Sequence, residues 1–136
     1  MDYRKLAEEF LIDTFTKVPP FAPPEDMNKG EMGIITYLAS CKNNVLSGEL
    51  SNVLKLSSGR VAIALKSLEK KGLIYRSSPL EDKRKVVVSI TEKGQKCSDE
   101  HKEKAIDDFS KIFKFIGPKD TKEFLRILYK IFDIKK

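Results

Sequence analysis

Nine cations lie between Ser57 and Lys93: Arg60, Lys66, Lys70, Lys71, Arg76, Lys83, Arg84, Lys85 and Lys93. The same stretch holds four acidic residues, Glu69, Glu81, Asp82 and Glu92, leaving a surplus of five positive charges. The whole 136-residue chain has a net charge of +6, so nearly all of its excess is concentrated there. Ammonium and guanidinium groups neutralise phosphates and release their counterions, so a localised surplus is the footprint of a polyanionic partner. A charge run is also compatible with a plain solvated face. Clustering on one short motif favours the polyanion.

Other reactive side chains form no competing constellation. Cys41 and Cys97 are far apart and match no metal-ligand spacing. The single histidine, His101, sits on a charged helical stretch. The sequence contains no GxSxG, HExxH, phosphate-binding loop or paired catalytic carboxylates. The expectation is therefore no enzyme, no metal and no cofactor. Lys93 and Lys96 near Cys97 would favour a thiolate; two inert reduced thiols are the blander alternative.

The elements that carry the cations follow from local signals. Ser57 predicts an N-cap, because its hydroxyl can accept a backbone N–H left unpaired in the first turn. Val61, Ala64, Leu65 and Leu68 form one helical stripe, which leaves Gly59, Ala62, Ile63, Lys66 and Lys70 on the opposite face. Gly72 supplies the left-handed residue that ends a helix. A strand then runs through Leu73, Ile74 and Tyr75 to Arg76–Pro79. Lys85 to Ile90 is a returning strand, with Val86, Val88 and Ile90 on one face. The tip between them ends in Lys83, Arg84 and Lys85, three adjacent cations that repel unless an anionic surface such as a narrow minor groove is near.

These residues resemble the multiple-antibiotic-resistance regulator (MarR) family of bacterial transcription factors. The resemblance rests on Leu68-Glu69-Lys70-Lys71-Gly72-Leu73-Ile74, then Asp82-Lys83-Arg84, then Ile90-Thr91-Glu92-Lys93-Gly94, in order and at fitting spacing. It implies a winged helix-turn-helix that binds duplex DNA, with helix 57–71 in the major groove and wing 76–85 at the minor groove. Arg84 would enter the minor groove, and Asp82 would hold the wing through an ion pair. Ser57, Ser58, Arg60 and Lys66 would face phosphates or base edges. The full candidate DNA-binding set is Ser47, Ser57, Ser58, Arg60, Ile63, Lys66, Arg76, Lys83, Arg84 and Lys85. The family usually has polar residues where this chain has Ala62 and Ile63. Ile63 would then either touch a thymine methyl or pack under the wing or a neighbouring helix.

The rest of the chain fits one domain over 1–136, mainly α with a small β-wing (α+β). Residues 28–91 would form the winged lobe, and 1–27 with 92–136 a helical dimerisation region. A first helix is expected over 3–18, followed by the proline-rich connector 18–24, read as an extended linker with Phe21 buried. Asn28 to Glu31 reads as a capping box, Ser47 as the cap of a short helix, and Val45-Leu46 as a third strand beside the wing. Thr91 caps a long helix that breaks at Gly117-Pro118, and a last helix begins at Asp120 or Thr121. The terminal helices carry more apolar surface than one short bundle needs, which points to a homodimer. Two recognition helices roughly 34–36 Å apart would then read a pseudo-palindromic operator.

The family resemblance also implies release by a small lipophilic or phenolic effector, for which Phe10, Phe21, Met32, Tyr37 and Phe109 are the candidate pocket. Plain core packing is the alternative for those five. The apolar runs are too short to span a membrane, and the N-terminus reads as an amphipathic segment rather than a secretory signal, so a cytoplasmic protein is expected. The competing function is a winged-helix module that docks protein through the Ala62-Ile63 face without DNA.

Overall fold

The computed structural model describes residues 1–14 and 26–131. Its elements are α1 (Tyr3–Thr14), α2 (Lys29–Ser40), β1 (Val45–Leu46), α3 (Ser47–Leu54), α4 (Ser58–Lys70), β2 (Ile74–Ser77), β3 (Val87–Ile90) and α5 (Glu92–Ile131). The result is a mostly helical chain with one small antiparallel sheet of order β1-β3-β2. Two compact units form, Pro23–His101 and the terminal pair Met1–Ala22 with Lys102–Lys136, so α5 contributes residues to each.

In the central unit, α2, α3 and α4 close on the sheet. Ile34, Ile35 and Leu38 of α2 and Leu50 of α3 meet Val61, Ala64, Leu65 and Leu68 of α4. Val45, Ile74 and Val88 complete this core from the strands. Each fully buried aliphatic side chain contributes roughly 1.5–3 kcal/mol relative to exposure. Val88 lies between Val45 and Arg76, and Ile74 lies opposite Ile90, which sets the register of the wing. Two side chains in the α2–β1 loop hold the sheet from its end. Asn43 Oδ1 accepts the Ile90 N–H at 2.9 Å, and the buried Ser89 hydroxyl donates to Asn44 Oδ1 at 2.5 Å.

The start of α5 is locked to the end of α4. Thr91 Oγ1 accepts the Gly94 N–H at 3.0 Å, the cap that begins α5, and donates to the Gly72 carbonyl at 2.7 Å. A Cβ at Gly94 would stand 2.2 Å from the Leu73 carbonyl oxygen, so only glycine admits this approach. Gly72, at φ 77, makes the turn out of α4.

Three local expectations are corrected. The capping box at α2 is half made: Asn28 Oδ1 accepts the Glu31 N–H at 2.8 Å, but the Glu31 carboxylate turns away to Lys71 and Ser67. Ser47 does not cap α3; Leu46 occupies the N-cap with extended backbone and makes no side-chain bond there. The break in α5 is a single residue, Gly117 at φ 87 and ψ 171, and Pro118 already belongs to the helix that follows. Proline fits there because a first-turn N–H has no helical partner to lose.

In the terminal unit, Ala7, Phe10 and Leu11 of α1 pack with Ala105, Ile106, Phe113 and Leu125 of α5. The Phe10 ring lies 4.8 Å from Phe109, 5.9 Å from Phe113 and 6.0 Å from Phe124. Thr121 is fully buried and donates to the Phe113 carbonyl at 2.9 Å across the Gly117 turn. Arg4 bridges Glu103 and Asp107 at the surface. Phe115, at 90% exposure, and Ile131, at 67%, stand out of this unit with Ile112 and Ile127. The helix expected over 3–18 is described as far as Thr14. Its remainder and the proline connector with Phe21 lie outside the described residues, as do Phe132 and Ile134.

Candidate nucleic-acid interface

The candidate surface is built on α4. Ser57 caps the helix with extended backbone, its hydroxyl oxygen accepting the Arg60 N–H at 3.2 Å. Lys55, in the left-handed conformation at φ 54, makes the sharp turn from α3. With Val61, Ala64, Leu65 and Leu68 buried, helical periodicity turns Ala62, Ile63 and Lys66 outward, and Ser58 and Arg60 are exposed in the first turn. Ile63 is 72% exposed. That exposure removes the alternative in which it packs under the wing or a neighbouring helix.

The far end of α4 is tied down from three directions. Lys71 Nζ donates to Glu31 Oε2 at 2.7 Å and also reaches the Asp26 carbonyl. Ser67 donates to the same Glu31 oxygen at 3.2 Å. Lys93 Nζ donates to the Lys71 carbonyl at 2.9 Å. Helix α4 is therefore fixed on α2 and α5, while Ala62, Ile63 and Lys66 on its outward face stay exposed.

The wing projects from β2 and β3. Asp82 organises its turn: its carboxylate accepts the Arg84 backbone N–H at 3.0 Å and Arg84 Nε at 3.3 Å. Its own N–H donates to the Pro79 carbonyl, and its carbonyl accepts from Lys85 N–H, both at 3.2 Å. On this frame the Arg84 side chain is 93% exposed. Lys83 and Lys85 are exposed beside it, and Leu80 is 96% exposed at the tip.

The other candidates are placed differently. Arg76 is held by Glu69 through bonds of 2.9 and 3.4 Å. The Arg76 guanidinium donates to the Glu69 carboxylate and holds it below the usual carboxylate range, and the same bond raises Arg76. Ser47 is half-buried in the first turn of α3, its N–H donating to the Val86 carbonyl. Nothing in the sequence announced the Glu69–Arg76 pair, because its members are seven residues apart across a helix-to-strand turn. A second unannounced set joins α2 to α3: Tyr37 donates to Glu49 Oε2 at 2.7 Å and Lys42 to Oε1 at 3.4 Å.

The five effector-pocket candidates are divided. Phe10 and Phe109 pack in the terminal unit, Met32 is buried in the central core, Tyr37 bonds Glu49, and Phe21 lies outside the described residues. Of the two readings of Cys97, the fold favours the inert thiol. Burial pushes this thiol up, joined by Asp26 and Glu100, against the opposing pull of Lys71 and Lys93. Cys41 is also raised, by burial. Among the described residues no cluster of histidine, cysteine and carboxylates could hold a metal, and no helix is long and apolar enough to cross a membrane.

Two helices joined by a tight turn, the second capped and exposed, followed by a hairpin, define a winged helix-turn-helix protein. Over residues 21–101 the chain matches the model of the transcriptional regulator SarA/Rot family, and it belongs to that family of winged-helix regulators. Solved structures share the fold. FabT of Streptococcus pneumoniae, crystallised in complex with DNA, is 24% identical, with a TM-score of 0.69 over 97% of this chain and 96% of its own. A MarR transcriptional regulator from Methanosarcina mazei is 22% identical, with a TM-score of 0.62 over 96% and 89%. MepR, which regulates the Staphylococcus aureus multidrug efflux pump MepA, is 18% identical, with a TM-score of 0.63 over 95% and 87%. Among curated proteins none matches the chain.

Proposed function

We propose that this transcriptional regulator is a cytoplasmic homodimeric repressor that binds a pseudo-palindromic operator in duplex DNA. The observation that carries the reading is the wing turn, where Asp82 fixes the backbone and Arg84 stands 93% exposed between two further cations. Such a group suits a minor groove, where phosphates on both sides deepen the negative potential. The exposed face of α4 would enter the major groove. Arg60 and Lys66 would supply polar contacts, and Ile63 an apolar contact to a thymine methyl. Arg76, already bonded to Glu69, would position the wing and contribute less to phosphate binding. The exposed Phe115, Ile112, Ile127 and Ile131 support a subunit interface in the terminal unit. A small lipophilic or phenolic effector would release the DNA; Phe10 and Phe109 already pack in the terminal core, which leaves Met32 and Tyr37 as its candidates among the described residues.

Alanine variants test the division of labour. Arg84→Ala weakens binding to operator and random DNA alike and lowers the salt slope by about one. Arg60→Ala and Lys66→Ala change the ranking of a panel of operator variants, each lost base contact being worth roughly 1–3 kcal/mol. Equal affinity of Arg84→Ala and wild type, or one unchanged ranking in all variants, contradicts the assignment. The exposure of Ile63 favours one second reading, a protein-docking module. Its binding would be insensitive to salt and lost in Ile63→Asp.

A further inference from the structure

Gly48 and Gly59 occupy the second positions of α3 and α4, and both are exposed. Neither has a positive φ. Among the described residues, a Cβ placed on either meets no atom within 4 Å. The fold therefore uses neither their conformational freedom nor their lack of a side chain. This sets them apart from Gly94, which a carbonyl crowds, and from Gly72 and Gly117, whose φ is positive. A helical glycine is costly relative to alanine, because more backbone freedom is lost on folding. Among the described residues nothing offsets that cost.

The two positions have an external feature in common. Gly59 heads the outward face of α4, one turn before Ile63 and two before Lys66, and beside the exposed Arg60. Gly48 begins the preceding helix of the same helix-turn-helix. In that motif the N-terminal residues of the second helix come nearest the bases while the first helix crosses the backbone.

We propose that Gly48 and Gly59 are clearance positions, at which bound duplex DNA presses on the helix backbone and leaves no space for a Cβ. This rests on the reading of α3, α4 and the wing as a DNA interface. The substitutions Gly48→Ala and Gly59→Ala then move two properties in opposite directions. Thermal stability rises, by about 2–8 °C in Tm for each. Affinity for duplex DNA falls by at least about fivefold, the size of one lost contact in such an interface. Both are measured on the full chain, by thermal unfolding and by fluorescence anisotropy with one labelled duplex. Higher Tm with unchanged affinity overturns the inference and leaves DNA binding standing. Lower Tm overturns it too, since the glycine would then serve the fold. A wild-type chain that binds no duplex at low salt removes the DNA reading and the inference together.

Discussion

Glu31→Ala is expected to be costly out of proportion to its place on a surface helix. The Glu31 side chain is 7% exposed and accepts from Lys71 at 2.7 Å and from Ser67 at 3.2 Å. Truncation removes a charge-assisted bond of about 1.5–3 kcal/mol and a hydroxyl bond of about 1 kcal/mol. A buried ion left without its partner costs about 3–5 kcal/mol. That ceiling is not reached, because the Lys71 side chain is 28% exposed and keeps the Asp26 carbonyl. The expected net loss is about 2–3 kcal/mol. For a lobe of this size, each kcal/mol lowers Tm by about 4–8 °C, so the fall should be roughly 10–20 °C. Glu31→Gln retains the shape and the acceptor for Ser67 and should lose about half as much. Thermal unfolding followed by circular dichroism, with urea unfolding as a second measure, reads both variants. A change under about 3 °C for Glu31→Ala would refute the claim that this carboxylate anchors the recognition helix.

Further outcomes follow from other contacts. Gly94→Ala forces a Cβ against the Leu73 carbonyl and Ile90 Cγ1, at 2.2 and 2.7 Å, and should cost about 1–3 kcal/mol or more in urea unfolding. A near-neutral result would mean that α5 can start elsewhere. The Tyr37 hydroxyl holds Glu49 below the usual carboxylate range, so the stability it gives is present above the unfolded value of about 4.3 and is lost as pH falls through the lower folded value. Tyr37 itself is raised by the same bond, so its share is present below about pH 10 and is lost as pH rises beyond that. The Tm deficit of Tyr37→Phe should therefore be flat near neutrality and shrink at both extremes. A deficit independent of pH would exclude the bond as its cause.

The sequence carried the fold wherever a local rule decided it. The stripe Val61, Ala64, Leu65 and Leu68 is buried as its spacing requires, and Ser57, Gly72 and Thr91 perform the local tasks their chemistry suggests. Even the two-residue strand Val45-Leu46 was announced by its apolar pair beside the wing. Side-chain choices between remote partners were not legible. Glu31 has the spacing of a capping box, yet a half-buried lysine ammonium forty residues away is a stronger partner than an exposed N-cap N–H. Leu46 pairs with Val87 in the sheet, and its extended backbone places it at the N-cap of α3, so Ser47 falls inside the first turn. The outward placement of Ile63 and Lys66 was readable from periodicity, and that of Arg84 from its place in the cationic hairpin tip. The engagement of Arg76 with Glu69 depends on how the wing folds back and left no trace in spacing. Cys97 had two lysines nearby in sequence, but desolvation outweighs them in the fold.

As proposed above, the α4 face and the wing bind duplex DNA with sequence preference. Fluorescence-anisotropy titration of labelled DNA from the protein's own upstream region, at two salt concentrations and against random DNA, tests it most directly. The account predicts binding that prefers the upstream duplex and weakens steeply with salt, as phosphate neutralisation by Lys and Arg requires. Failure to bind either duplex at low salt would contradict it and turn attention to a protein partner for the Ile63 face.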